Sequence, residues 1–205
     1  MSVFYQLAYR IGFHPWEDLA EHPPFATKLA ELLDREESGH EPPYGKALDV
    51  GTGSGVWGAW LARRGWDVTA IDVVEPALRR ARERVEQTGV AMRIMKADVT
   101  ALSEREVGDG FRLILDTGTF HGLDRVERAA MGRAVSAVAS PDATVLLDVF
   151  APGRRGPLPR GATRAEVEAA FPGWKVTDVE VADTEPDALA RKLRFDEHWY
   201  RLRRE

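Results

Sequence analysis

Two rhythms of apolar and polar residues alternate along this chain. From Lys46 onward, short continuous apolar runs give way repeatedly to stretches in which apolar residues recur with helical period. The runs Ala47 to Val50, Val68 to Val73, Met92 to Met95, Phe111 to Leu115 and Thr144 to Phe150 predict buried strands. Between and after them, Val56 to Arg64, Glu75 to Gln87, Arg125 to Ala139 and Thr163 to Phe171 predict helices. Strands separated by helices need crossover connections. The expected class is therefore α/β, a doubly wound and mostly parallel sheet with helices on both faces and its ligand site at the carboxyl ends of the strands.

Both ends of the chain leave this pattern. Trp174 to Val181 and Leu193 to Leu202 are strand-like runs joined by a polar connector, which predicts an antiparallel pair. Phe4 to Arg10 and Ala26 to Asp34 have helical period, and Gly12 to Pro24 gathers Pro15, Pro23 and Pro24 around His14, Trp16 and His22. This head is expected to cap the strand ends, with residues 1–44 as a helical cap or lid and 45–205 as the core. Gly153 to Gly161, rich in Pro and Arg, reads as a loop, and no internal repeat is found.

Composition narrows the partners. The 205 residues carry 28 Lys and Arg against 33 Asp and Glu, a net charge of −5, so the basic footprint of a nucleic-acid binder is missing. The absence of Cys removes disulfides, thiolate metal sites and cysteine nucleophiles. No apolar stretch is long enough to span a membrane and the start is not signal-like, so the expectation is a cytoplasmic protein without a membrane partner. The five histidines show no i, i+4 pair on one helix, and no metal is expected. Oligomeric state is left open.

The chemistry concentrates in Leu48-Asp49-Val50-Gly51-Thr52-Gly53-Ser54-Gly55, a glycine loop between the first strand and first helix. Gly51 and Gly53 permit a tight turn and close ligand approach, and the following helix N-terminus offers free amides. Gly53 to Gly58 also matches the dinucleotide pattern G-x-G-x-x-G. Asp49 argues against that reading: a carboxylate faces pyrophosphate unfavourably but can hold an ammonium, directly or through water. Asp72, closing the second strand, is placed to accept ribose hydroxyls. Asp98, after the third strand, could take an adenine amino group.

These segments, Asp49 to Gly55, Asp72, Ala97-Asp98-Val99 and Phe111 to Asp116, together resemble the class I S-adenosylmethionine-dependent methyltransferases, over roughly Lys46 to the C-terminus. The resemblance implies a seven-stranded sheet with a reversed last strand and S-adenosyl-L-methionine as cofactor. It implies that Gly51 and Gly53 pass the methionine moiety, that Asp72 holds the ribose, that Val73 packs on adenine and that Asp98 with Val99 addresses its amino edge. Thr52, Gly55 and Asp116 enter the cofactor set as parts of the same motifs. Pro15-Trp16-Glu17 and Asp116-Thr117-Gly118-Thr119-Phe120-His121-Gly122-Leu123 are similar to the small-molecule, thiopurine-methyltransferase-like branch.

His121, just past the fourth strand, is the candidate general base or substrate-positioning group, and His14, Trp16 and Thr117 are further candidates for acceptor contact. The expected activity is methyl transfer to a small-molecule acceptor. Two alternatives stand beside it: a nicotinamide-dependent oxidoreductase, and a cofactor-binding protein of this fold without methyl transfer.

Overall fold

A computed structural model describes residues 23–153, 159–181 and 197–205. The described elements, in chain order, are α1 (Pro23–Glu37), β1 (Lys46–Val50), α2 (Val56–Arg64), β2 (Asp67–Asp72), α3 (Glu75–Thr88), β3 (Arg93–Lys96), α4 (Glu104–Val107) and β4 (Phe111–Asp116). They continue with α5 (Arg125–Val138), β5 (Ala139–Phe150), α6 (Arg164–Ala170), β6 (Trp174–Val181) and β7 (Glu197–Arg204), with 3-10 turns at Val99–Ala101 and Phe120–Gly122. The seven strands form one sheet in the order β3-β2-β1-β4-β5-β7-β6. β3, β2, β1, β4 and β5 pair in parallel, and β7 runs antiparallel to both β5 and β6. This is the expected fold class, with the reversed strand set between β5 and β6.

Each face of the sheet buries its own apolar cluster. On one side Leu48, Val50, Ile114, Val145 and Leu147 meet the stripe of α5 that carries Met131, Val135 and Val138. On the other, Ala47, Leu113, Leu115 and Leu146 meet α1 and α2. Phe25, Leu29, Leu32 and Leu33 recur along α1 at helical spacing and are all buried there. Thus residues 23–37, counted with the cap in the sequence reading, form a layer of the core, while residues 1–22 lie outside the described set.

Element ends follow local chemistry. Asp124 and Thr163 cap α5 and α6 with reciprocal bonds to Glu127 and Glu166, so both helices start one residue after a side chain that satisfies their free amides. β5 starts at Ala139 rather than Thr144, directly at the end of α5. The four-residue α4 is too short to show a period and was not foreseen. Part of the Gly153 to Gly161 loop and Leu193 to Asp196 of the last expected strand lie outside the described residues. None of the described helices is long and apolar enough to cross a membrane.

Candidate functional site

The carboxyl edge of the sheet holds a row of acids, one from each of five neighbouring strands: Asp72 on β2, Asp49 on β1, Asp116 on β4, Asp148 on β5 and Glu197 on β7. Glu197 reaches this edge because β7 is reversed, its first residue pairing with Phe150, the last of β5. The sequence reading found the first three and missed Asp148 and Glu197. A single acid inside the apolar run Val145-Leu146-Leu147-Asp148-Val149-Phe150 was the available signal, since a buried carboxyl needs a reason.

Two of these acids are spent on the loops beside them. Asp72 accepts the Gly53 amide at 3.0 Å and the Val74 amide at 2.8 Å, tying the glycine loop to the end of β2. A carboxylate has about four acceptor positions, so with the Val73 amide also against it at least one remains for a ligand. Asp116 is 0% exposed and takes the amides of Gly118 (2.8 Å), Thr119 (2.6 Å) and Phe120 (3.0 Å). It therefore shapes the turn after β4 from within.

Asp49 is 1% exposed and lies under the loop. The Thr52 hydroxyl donates to its Oδ2, whereas Oδ1 is buried with no hydrogen-bond partner. Burial pushes this carboxyl up to about 7 against the pull of Thr52, and the nearby charges of Asp116 and Asp72 add to the rise. Burial likewise raises Asp116 to about 6 and lifts Asp72. Close packing explains two glycines. A Cβ at Gly51 would lie 1.9 Å from Thr119 Oγ1, and one at Gly58 would lie 2.9 Å from Asp49 Oδ2. The loop is thus pressed against the turn after β4, and the first turn of α2 against Asp49.

The remaining predicted residues divide. Gly55 adopts a left-handed conformation that starts α2. Val73 is half-buried beside Asp72. Asp98 is exposed and caps a 3-10 turn through Thr100, its Oδ1 accepting the amide at 2.9 Å and the hydroxyl at 2.7 Å, while Val99 points into the core. Thr117 is half-buried at the tip of β4. His14 and Trp16 lie outside the described residues.

His121 is 5% exposed and stacks on Phe150 with ring centroids 4.3 Å apart and planes 13° apart. The Phe150 amide donates to its Nδ1 at 3.4 Å, which places the proton of the neutral ring on Nε2, a donor directed to the Gly118 side. Buried Arg128 clamps the surroundings, donating to the carbonyls of Phe120 (3.2 Å), His121 (3.3 Å) and Gly161 (2.7 Å). It joins the turn after β4 to the segment before α6. No cluster of His, Asp or Glu among the described residues is arranged to hold a metal ion.

The seven-stranded sheet with one reversed strand has the Rossmann-like methyltransferase fold shared by the solved structures named below. Residues 47–142 match the family model described as a methyltransferase domain. A ribosomal RNA small subunit methyltransferase C of Alcanivorax borkumensis is 39% identical over 70 residues, 34% of this chain and 22% of that protein. Among solved structures, an N-methyltransferase of Bradyrhizobium japonicum WM9 in complex with S-adenosyl-L-homocysteine superimposes with a TM-score of 0.73 at 17% identity, covering 91% of this chain and 90% of that one. The 1,6-didemethyltoxoflavin-N1-methyltransferase of Burkholderia thailandensis, with bound 1,6-didemethyltoxoflavin and S-adenosylhomocysteine, gives 0.72 at 23% identity over 98% and 85% of the two chains. The chain spans about a fifth to a half of the length of the curated relatives it matches.

Proposed function

We propose that this protein transfers a methyl group from S-adenosyl-L-methionine to a small-molecule acceptor. The observation that carries this reading is the buried, unpartnered Oδ1 of Asp49 beneath the glycine loop. An orphaned carboxyl oxygen at that place asks for a cationic donor, which the ammonium of an amino-acid-bearing cofactor provides and the pyrophosphate of a nicotinamide dinucleotide does not. Asp72, tied to the glycine loop through the Gly53 amide, is the acid placed for the ribose hydroxyls. Asp98 and Val73 flank the adenine end.

When bound, S-adenosyl-L-methionine supplies a methyl group already activated on a sulfonium. The chain's own work is then positional. Asp49 and Asp72 fix the cofactor at two points, and the turn built on Asp116 holds Thr117 and His121 against the reacting side. Orientation of this kind accounts for on the order of 7 to 11 kcal/mol of a barrier. His121 is the candidate base or substrate-positioning group on the acceptor side.

A small acceptor fits better than a polyanion, because five acids at the strand ends and a net charge of −5 oppose a phosphate backbone. We place the chain in the thiopurine-methyltransferase-like branch on the Pro15 to Glu17 and Asp116 to Leu123 segments. Calorimetric titration with S-adenosylhomocysteine and with NAD tests the cofactor, and transfer of labelled methyl to a compound library tests the reaction. Binding of NAD in place of S-adenosylhomocysteine would overturn the reading; cofactor binding without transfer to any compound would favour a binding protein of this fold.

A further inference from the structure

Two oxygens in the acid row are buried without a partner. Asp49 Oδ1 is accounted for by the function proposed above, and Asp148 Oδ1 is not. Asp148 is 3% exposed and sits on β5, two strands from Asp49 in the order β1-β4-β5, roughly 10 Å across at the usual strand spacing. That is the side of β4 away from the glycine loop.

Directly opposite Asp148 on the antiparallel ladder stands Trp199, 1% exposed, whose indole Nε1 is buried with no acceptor. Directly opposed residues project from the same face, and Glu197, two positions before Trp199, projects there too. One face at the carboxyl end of β5 therefore holds an acceptor without a donor, a donor without an acceptor, and a second carboxyl. The two acids sense each other: burial raises the proton affinity of Asp148 well above the usual carboxylate range and the charge of Glu197 raises it further. An aromatic group adjoins them, with the Phe25 ring 5.2 Å from both Trp199 and Trp57. Buried polar groups left unpaired destabilise a fold, and apolar side chains would pack here at lower cost. Their presence is explained by a ligand that completes them.

We propose that Asp148, Glu197 and Trp199 form the acceptor subsite and that the acceptor is a planar nitrogen compound bearing an amino or amidinium group. The reading rests on the methyl-transfer function above. Two adjacent carboxyls call for at least two donated hydrogens, which an amino group supplies and a hydroxyl, with one, does not. The indole N–H requires a lone pair elsewhere on the same molecule. Phe25 and Trp57 provide faces for a flat, electron-poor or cationic ring.

The test uses the full-length protein, with and without saturating S-adenosylhomocysteine, and four single-ring probes: benzamidine, 2-aminopyridine, phenol and benzoate. Calorimetry should show the two nitrogen probes binding more tightly than phenol or benzoate. Asp148→Asn should weaken both nitrogen probes by about tenfold or more, and Trp199→Phe should do so for 2-aminopyridine, whose ring nitrogen offers the indole a lone pair that benzamidinium lacks, with S-adenosylhomocysteine affinity unchanged. Glu197→Gln, less buried, carries the same test if either variant fails to fold. Equal binding of all four probes, or nitrogen-probe affinity unchanged in the folded variants, would overturn the subsite. Failure of S-adenosylhomocysteine to bind the wild type would overturn the methyl-transfer reading alone, because the probe series without it still reads the subsite.

Discussion

The Asp72 carboxylate accepts the backbone amide of Gly53 across 3.0 Å, joining residues that lie 19 apart in the chain and on neighbouring βα turns. The acid expected to hold a ligand thus also sets the shape of the loop that would lie beside it.

Asp72→Ala is accordingly expected to weaken S-adenosylhomocysteine binding more than Asp98→Ala. Asp72 loses two loop amides and its ligand bonds together, each worth about 1.5–3 kcal/mol for a charged acceptor, whereas Asp98 is exposed and holds only Thr100. Calorimetric titration of the two variants decides the order, and a greater loss in Asp98→Ala would contradict the geometry.

Asp49 is predicted to sacrifice stability for binding. Its carboxyl is raised by burial from 3.8 to about 7, so the folded state holds the proton more tightly than the unfolded chain. Stability from this group is complete below pH 4 and is lost as pH rises to about 7, by a ceiling on the order of 4 kcal/mol. Asp49→Asn should therefore melt higher than wild type at pH 8 and match it near pH 4, while binding S-adenosylhomocysteine more weakly. For the wild type, cofactor affinity should fall as pH drops below about 7, where the carboxylate takes up its proton. A variant destabilised at pH 8 with cofactor affinity intact would remove Asp49 from the site.

For His121, the informative change keeps the stack and removes the nitrogens. His121→Phe should still fold, because a flat ring of similar size lies on Phe150, at a cost of about 1–3 kcal/mol for removing the acceptor of the Phe150 amide. Its acceptor turnover should fall while S-adenosylhomocysteine affinity holds. Undiminished turnover on the true acceptor would leave the imidazole as a packing group.

Arg128 carries the largest expected stability effect. Arg128→Ala takes the guanidinium from the carbonyls of His121 and Gly161, while that of Phe120 keeps the Leu123 amide, at about 1–3 kcal/mol for each group left unpaired. A fall in Tm on the order of 5–20 °C in a thermal melt follows for a chain of this size. A shift below about 2 °C would show that water replaces the guanidinium at little cost.

The order of elements and the pairing of the glycine loop with Asp72 were legible in the chain because their signals are local. Apolar runs alternating with helical periods define βαβ units, and right-handed crossovers leave few ways to arrange them. The glycine loop follows its strand immediately, and Asp72 closes the next strand, so spacing alone brings them to adjacent strand ends. The pairing of acids at the end of β5 was not legible. Asp148 and Glu197 lie in segments 49 residues apart and meet only because β7 inserts antiparallel between β5 and β6. Nothing in either segment's pattern names its neighbour in the sheet. That choice is made by burying the faces of β5, β6 and β7 together. Sequence by itself determined which residues could bear charge at strand ends; tertiary structure decided which of those charges were consumed by backbone amides, as at Asp116, and which were left buried and unpaired, as at Asp49 and Asp148. The physical reason is that hydrogen-bond satisfaction depends on every element packed around a group, whereas periodicity depends only on the group's own strand.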